Sequence, residues 1–291
     1  MLLRTTFRDL FTMLRTRSQQ RLRELYHHDE GTRYKVRRVM SRCLPLYFRK
    51  ECPLCGLKFH QFEDGGIAEP ILDETHCVGG GFRSNVACPV CHSTDRERLV
   101  YLYLTTKTSL FSQPLRVLHI APEPQLERIL RAGSSLEYLS ADLCSPLAMV
   151  KIDLTQTTLQ SNFFDVIICN HVLEHIPEDG KAMSELFRML KPGGWAILQV
   201  PFSLSLPATI EDPTVTDPKE RRRRYGQEDH VRIYAAHDYR SRLIRAGFDV
   251  RTWSAVEEHG DTFVRRYSLI REEKLYVCSK PNREHGVTSP I

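Results

Sequence analysis

The chain has 291 residues, a formal net charge of +5 at pH 7 and nine cysteines. This length is enough for one large domain and a smaller one, and the composition is that of a globular protein. No run of about 18 apolar residues occurs, which argues against a membrane-spanning helix. Positive charge is concentrated in residues 1–50, where 13 basic and 4 acidic residues give a balance of +9 and leave −4 for the remainder.

Residues 1–50 are predicted to form a basic, amphipathic helical segment. Within residues 1–26, apolar side chains recur at helical spacing, while arginines occupy the other faces. The apolar positions are Leu3, Phe7, Leu10, Phe11 and Leu14. Four roles fit this pattern: peripheral contact with a membrane surface, contact with nucleic acid, an organellar transit peptide, or packing against the rest of the chain.

Residues 51–93 carry two CxxC pairs, Cys52 with Cys55 and Cys88 with Cys91. Each pair can present two thiolates to one tetrahedral Zn²⁺ ion. Cysteines in metal-binding spacing indicate a reducing compartment, so we expect a cytoplasmic location. A closed set of four thiolates is typical of a structural ion, because catalytic zinc keeps an open position. The pattern predicts a zinc-ribbon-like module that gains its stability from the metal.

Residues 94–280 are predicted to form an α/β domain. A helix over 94–110 leads into short apolar runs that lack polar alternation, and these predict parallel strands buried on both faces. The predicted strands of this kind cover 116–121, 138–141, 150–152, 166–169 and 195–200. Two further strands are predicted over 248–253 and 274–279. Helical spacing over 179–190 and 237–246 supplies covering helices. Residues 281–291 are predicted to be a loose tail.

The residues that follow each parallel strand are expected to bind the ligand, because ligands of open α/β sheets lie at the carboxyl edge. Asp142, after the second strand, is placed to accept hydrogen bonds from ribose hydroxyls. Asp153, after the third, is placed to accept one from an adenine amine. The other residues at this edge are Ala121, Glu123, Leu154, Asn170 and His171.

The segment FDVIICNHVLEHI followed by ELFRMLKPGGWAILQVP resembles the class I S-adenosylmethionine-dependent methyltransferases, in particular their small-molecule branch. The similarity covers about residues 115–280. It implies a Rossmann-like, mostly parallel seven-stranded sheet with an antiparallel final strand, and S-adenosylmethionine as cofactor.

The first loop departs from that family, which has an acidic residue and a glycine-rich turn where this chain has His119, Ala121 and Glu123. A sulfonium cofactor carries no phosphate and is locally positive. Carboxylates and carbonyls therefore suit it better than glycine amides, and we include these three residues among the cofactor contacts.

Residues 202–225 are predicted to be a polar loop that lines the substrate cavity, and residues 225–234 concentrate glycine, acid, histidine and arginine. We expect His230, supported by Asp229, to be the catalytic base, because an imidazole titrates near neutrality, at about 6.5. His171 is the alternative base. The residues expected to bind an acidic or sugar-like substrate are Arg232, Tyr234 and Glu211.

His171, Glu174 and His175 also match the HxxEH pattern of inverted zinc metalloproteases. That pattern needs a sustained helix, whereas a strand precedes it here and Pro177 follows closely. We therefore reject the protease interpretation and expect Glu174 and His175 to cap or orient a short helix.

The predicted function is transfer of a methyl group to an oxygen or nitrogen of a small molecule or of a glycan- or lipid-linked precursor. One alternative is an RNA methyltransferase that uses the zinc module and the basic N-terminus. It is disfavoured because Asn170 is followed by His-Val-Leu rather than by the Pro-Pro-aromatic sequence of many base methylators. The other alternative is a non-catalytic binding protein with the same fold.

Overall fold

The computed structural model describes residues 49–282. The predicted amphipathic helix, its suggested membrane contact and most of the predicted tail lie outside these residues. Among the described residues, no helix is both long and apolar enough to cross a membrane.

The described chain alternates short strands with helices. The strands are β1 (Lys50–Glu51), β2 (Lys58–Phe59), β3 (Glu63–Gly65), β4 (Cys77–Val78), β5 (Arg83–Ala87), β6 (Leu115–Ile120), β7 (Leu136–Asp142), β8 (Val150–Lys151), β9 (Phe164–Asn170), β10 (Leu190–Gln199), β11 (Phe202–Ser203), β12 (Ile210–Glu211), β13 (Arg232–Ala235), β14 (Asp249–Ser254) and β15 (Lys274–Ser279). The helices are α1 (Pro70–Glu74), α2 (Asp95–Lys107), α3 (Pro124–Ala132), α4 (Asp179–Met189), α5 (Pro218–Tyr225), α6 (Ala236–Arg245) and α7 (Ala255–Tyr267), with 3-10 turns at Leu110–Ser112 and Leu173–His175.

Seven strands form the main sheet in the order β14-β15-β10-β9-β6-β7-β8. The neighbouring strands from β10 to β8 are parallel, whereas β15 runs antiparallel to both β10 and β14. The predicted Rossmann-like, mostly parallel seven-stranded sheet is therefore confirmed.

Alternate residues of the central strands enter two separate cores, one on each face of the sheet. On β9, Ile167 and Cys169 pack with α4 and α6, whereas Val166 and Ile168 pack with α2, α3 and α7. Successive side chains of a strand point to opposite faces. Because both faces are covered, both sets are apolar, which explains the unbroken apolar runs in the sequence.

A second, four-stranded sheet has the order β12-β13-β11-β4. Strand β4 comes from the segment between the two CxxC pairs, and its Val78 pairs with Phe202 of β11. Residues 51–93 therefore pack directly onto the large domain. The prediction of a polar loop over residues 202–225 is wrong, because this stretch contains β11, β12 and α5. Two-residue strands are too short to produce a detectable period. The sequence marks α5 only at its two ends, by the Asp217 cap, which accepts from the Glu220 amide at 2.9 Å, with Pro218 after it, and by Gly226.

Arg98 of α2 joins the cysteine-containing module to the large domain. Its side chain is fully buried. The guanidinium donates to the main-chain oxygens of Ser93 and Val86 in the module, at 2.6 and 2.8 Å, and to those of Tyr267 and Ser268 after α7, both at 2.8 Å. Four carbonyls from three segments thus converge on one cation, which fixes the module against the sheet.

Candidate functional site

Three neighbouring strands end in the same row of the main sheet. Ile120 of β6 pairs with Ala141 of β7 and with Cys169 of β9. Ala121, Asp142 and Asn170 therefore follow one another along the carboxyl edge. Ala121 has φ of 47°, and its amide donates to the Ala141 carbonyl at 2.8 Å, so the chain turns sharply away from the strand at this point.

Glu123 lies between the ends of β6 and β9. Its Oε2 is 2.8 Å from His119 Nε2, and its Oε1 accepts a hydrogen bond from Asn170 Nδ2 at 3.0 Å. Burial would raise the pKa of Glu123, but the hydrogen bonds from His119 and Asn170 outweigh it and lower the pKa of this carboxyl. An ionised carboxylate is thus fixed at the carboxyl edge, where the family pattern has a glycine-rich turn.

Asp142 and Asp153 lie after β7 and β8, farther along the same edge. Asp142 Oδ1 accepts from the amides of Cys144 and Ser145, both at 2.7 Å. Its Oδ2 has no hydrogen bond from any residue in 49–282. Asp153 Oδ1 accepts from the amide and hydroxyl of Thr155 at 2.8 and 2.7 Å, which lowers its pKa. Local turns hold both carboxylates, and Asp142 keeps an acceptor atom available. Leu154, next to Asp153, is buried.

A cavity of about 350 Å³ lies beyond the end of β9. Its lining residues come from the segment between the CxxC pairs with the start of α2, from the loop after β9, from Pro201 after β10, and from the segment that follows α5. They include Leu72, Gly79, Arg83, Arg96, His171, Glu174, His175, Gly226 and His230. Gly79 has φ of 78°, and a Cβ there would lie 3.1 Å from Glu273 Oε1 and 3.5 Å from His171 Cε1. Only glycine fits this wall without strain.

Three histidines and one glutamate form an ionisable cluster in this cavity. His171 Nδ1 lies 3.3 Å from Glu174 Oε1, and His175 Nδ1 lies 3.2 Å from Asp229 Oδ2. The His175 and His230 rings meet edge to face with centroids 4.7 Å apart. The loop after β9 and the loop before β13 thus place their ionisable side chains side by side.

Burial dominates the protonation of this cluster. It raises the pKa of Glu174 to about 8, and together with the neighbouring His175 it lowers the pKa of His230 to about 4. Burial also lowers the pKa of His171 and, against the effect of Asp229, the pKa of His175. The three imidazoles of the cluster are therefore uncharged at neutral pH.

Arg96 supplies a positive charge to the cavity. It is held at the start of α2, where Thr94 and Glu97 form a reciprocal capping box. Its guanidinium has no hydrogen bond or ion pair with any residue in 49–282, whereas the neighbouring Arg83 is bound to Asp95 at 3.0 and 3.1 Å. Arg96 is thus available to an anionic group, and we did not identify it from the sequence because nothing local marks it.

The structure corrects the expected pairing of the catalytic base. Asp229 contacts His175, not His230. His230 is buried, lines the cavity, and has its Nδ1 3.2 Å from the Tyr225 carbonyl oxygen. The two residues are adjacent in sequence, but their side chains have different partners.

The structure also corrects the expected substrate-binding role of Arg232, Tyr234 and Glu211, because the polar atoms of these side chains bind other residues of the protein. Arg232 donates to Glu211 and to three main-chain oxygens of the loop after β9. The Tyr234 hydroxyl donates to Asp179 Oδ2 at 2.7 Å. These residues hold the loop that carries Glu174 and His175, a role that their polar character alone did not reveal.

The four cysteines of the CxxC pairs form a second compact group. Cys52 Sγ lies 3.6 Å from Cys91 Sγ, and Cys55 Sγ lies 3.8 Å from Cys88 Sγ. All four sulfurs lie within 4.8 Å of one another. A tetrahedral ion with Zn–S bonds of about 2.3 Å separates its ligands by about 3.8 Å. The group therefore has the dimensions of a tetrahedral zinc site.

The sheet order and the carboxylates at its carboxyl edge define a Rossmann-like α/β protein with a cofactor edge and an adjoining cavity. Residues 106–252 match the family model described as a methyltransferase domain. This match covers half of the chain, and the chain belongs to that family. The chain is therefore a methyltransferase, the class of enzyme that the sequence resemblance implied.

Solved structures of similar fold include a SAM-dependent methyltransferase from Archaeoglobus fulgidus, at 15% identity and a TM-score of 0.41, covering 63% of this chain and 94% of that one. Another is the Haemonchus contortus phosphoethanolamine N-methyltransferase 2 bound to S-adenosyl-L-methionine, at 16% identity and a TM-score of 0.42, covering 65% of this chain and 53% of that one. Similarity at this level carries no functional argument, so the assignment rests on the family match. No curated protein matches the sequence.

Proposed function

We propose that this methyltransferase transfers the methyl group to an oxygen or nitrogen of a small molecule, free or as the head of a glycan- or lipid-linked precursor, bound in the cavity beyond β9. His171 carries this proposal, because it follows Asn170 at the cofactor edge and also lines the cavity. Methyl transfer requires acceptor, methyl and sulfur to be aligned, so an acceptor must reach a residue that borders both sites.

The carboxyl edge of the main sheet fits S-adenosylmethionine, the cofactor that the sequence resemblance implies. Asp142, with its available Oδ2, would hold the ribose hydroxyls, and Asp153 with Leu154 would hold the adenine. The Glu123 carboxylate suits a cationic donor. The bound cofactor supplies a methyl group on a sulfonium, which makes that methyl electrophilic.

The cavity favours a small acceptor with an anionic group. Its volume of about 350 Å³ lies at the lower end of small-molecule sites. Residues 66–82 form one wall, which restricts access by a polymer. Arg96 offers an unpaired guanidinium, the group best suited to carboxylate or phosphate.

His171 is the base that we favour for an acceptor that must lose a proton. Its Nε2 is buried and has no hydrogen-bond partner among residues 49–282. An unpartnered ring nitrogen beside the acceptor can take up a hydroxyl or amine proton. His230, our first choice from the sequence, lines the same cavity but does not directly follow a strand of the main sheet, as His171 does.

Nucleic acid remains the less favoured acceptor. The four consecutive arginines at 221–224 would be its most obvious contact, but these side chains bind Val215 O, Glu69, Glu220 and Asp212 within the protein. The neighbouring carboxylates of Glu69, Glu220 and Asp212 offset part of the positive charge that a phosphate backbone requires.

We further propose a structural Zn²⁺ ion at the four cysteines. The sulfur separations support it, and a closed thiolate set leaves no position for a substrate. The ion would fix the two ends of the segment that forms the cavity wall.

The experiment that tests the acceptor class is transfer from methyl-labelled S-adenosylmethionine into a cell extract separated into small polar molecules, lipids and RNA. We expect label in the first two fractions, strongly reduced with His171→Ala and unchanged with the exposed control His237→Ala. Label confined to RNA would overturn the proposal. So would wild-type transfer by His171→Ala, which would remove His171 from the site.

A further inference from the structure

Glu174, His175 and His230 each offer one metal-binding atom, and these atoms lie within 4.8 Å of one another. All three residues line the cavity beyond β9. We propose that they bind a divalent transition-metal ion of the zinc type, separate from the ion at the four cysteines. Two imidazoles and one carboxylate are an established ligand set for such ions.

The hydrogen bonds of both histidines leave the correct ring nitrogen available. His230 Nδ1 faces the Tyr225 carbonyl oxygen, which can only accept, so Nδ1 carries the proton and Nε2 keeps its lone pair. His175 Nδ1 faces the Asp229 carboxylate, with the same consequence. Metal-bound histidines usually donate their other N–H to a carbonyl or carboxylate. Both side chains thus already have the tautomer that a metal ligand needs.

Glu174 lacks the partners that a buried carboxyl requires. Its exposed fraction is 1%, and neither carboxylate oxygen has a hydrogen-bond partner among residues 49–282. Burial of an unpaired polar group is costly, and buried carboxylates are normally paired or bound to metal. A cation in the cluster would supply the missing partner, because His171 Nδ1, although 3.3 Å from Oε1, makes no hydrogen bond with it.

The two segments that carry the ligands are fixed to each other. The Val231 amide donates to the Glu174 main-chain oxygen at 3.0 Å, and Arg232 donates to the Leu173, Ile176 and Pro177 carbonyls. Glu174 Oε1 lies 4.0 Å from His175 Nε2. A tetrahedral site with bonds of about 2.1 Å needs about 3.4 Å, so small side-chain rotations close the site.

Three protein ligands leave at least one coordination position open, as in catalytic zinc sites and unlike the closed cysteine group. This position faces the cavity, so an oxygen of the acceptor can complete the coordination of the ion. Coordination by the acceptor rests on the proposed function. The ligand set is not the metalloprotease one, because His230 from a distant loop takes the place of His171.

The test is the metal content of the full-length protein, dialysed after exposure to Zn²⁺ and measured by mass spectrometry. We expect Glu174→Gln and the His175→Ala, His230→Ala double variant each to bind one ion fewer per chain than the wild type. Glu174→Gln preserves the shape of the side chain and removes a buried carboxyl, so this variant should fold and its loss of metal would not be due to misfolding. The exposed control His237→Ala should match the wild type.

Co²⁺ substitution distinguishes this site from the cysteine group. Loss of the cavity site should lower the Co²⁺ content by one ion per chain while the thiolate-to-Co²⁺ charge-transfer band persists. Asp229→Asn should weaken Zn²⁺ binding about 10- to 100-fold through misorientation of His175. Equal metal content in the wild type and both cavity variants would overturn the proposal. Because metal content is measured without methyl transfer, a failed acceptor assay does not affect this test of the metal site.

Discussion

Asp142→Asn is the sharpest test of the cofactor edge. In the wild type, Oδ1 holds the turn through the Cys144 and Ser145 amides, whereas Oδ2 is available to a ligand. Asparagine keeps an oxygen for the two amides and replaces the second carboxylate oxygen by an NH₂ group. The substitution therefore preserves the turn and removes only the charged acceptor.

The expected loss follows from that one contact. A hydrogen bond to a charged group contributes about 1.5 to 3 kcal/mol. At about 1.4 kcal/mol for each factor of ten, the dissociation constant of S-adenosylmethionine should rise about 10- to 150-fold.

Isothermal titration calorimetry with S-adenosylmethionine measures this change, with thermal unfolding to verify that the variant folds. The exposed Asp249→Asn removes the same charge elsewhere on the domain and should bind as the wild type does. Unchanged affinity in a folded Asp142→Asn protein would refute the assignment of Asp142 to the ribose.

Three further predictions concern stability. Arg98→Met leaves four carbonyls without their donor and should lower the free energy of unfolding in urea by about 3 kcal/mol or more, whereas the exposed control Arg131→Met should change it by less than about 0.5 kcal/mol. If Cys52 binds a structural zinc ion, Cys52→Ser should lower the melting temperature and weaken the thiolate-to-Co²⁺ band; an unchanged band would contradict this. Burial, followed by the charge of Asp95, raises the pKa of Glu273 from 4.5 to about 7. Between these two pH values the Glu273 carboxyl keeps its proton in the folded state and releases it in the unfolded state. The free energy of unfolding therefore falls as pH rises from about 4.5 to 7. Glu273→Gln should therefore be more stable than the wild type by about 1 to 3 kcal/mol at pH 8 and equal to it at pH 4; a constant difference across this range would count against the raised pKa.

The main sheet could be predicted because its signals are local. The strands around β9 are apolar on both faces, α4 has helical spacing, and the Lys-Pro-Gly-Gly sequence at 191–194 marks the end of that helix. The carboxyl edge followed from the topology, since parallel neighbours end in one row. The CxxC pairs likewise encode their sulfur cluster in a few residues.

The cavity could not be predicted in this way, because distant segments build it. Asp229 meets His175, and Arg232 meets the loop after β9, through contacts more than 50 residues apart in sequence. Polar composition led us to predict Asp229 and Arg232 as functional residues but could not reveal their partners. Gly79 permits the close approach of the wall to His171, and nothing in the local sequence indicates that contact.

The segment between the CxxC pairs leaves the cysteine cluster, forms one side of the cavity and returns to the same cluster. In its middle the segment is also held by the large domain, because β4 pairs with β11. The wall is therefore supported both at its ends and at its centre. We expect substitutions of its cavity-facing side chains to change which acceptors enter without altering the order of the seven strands.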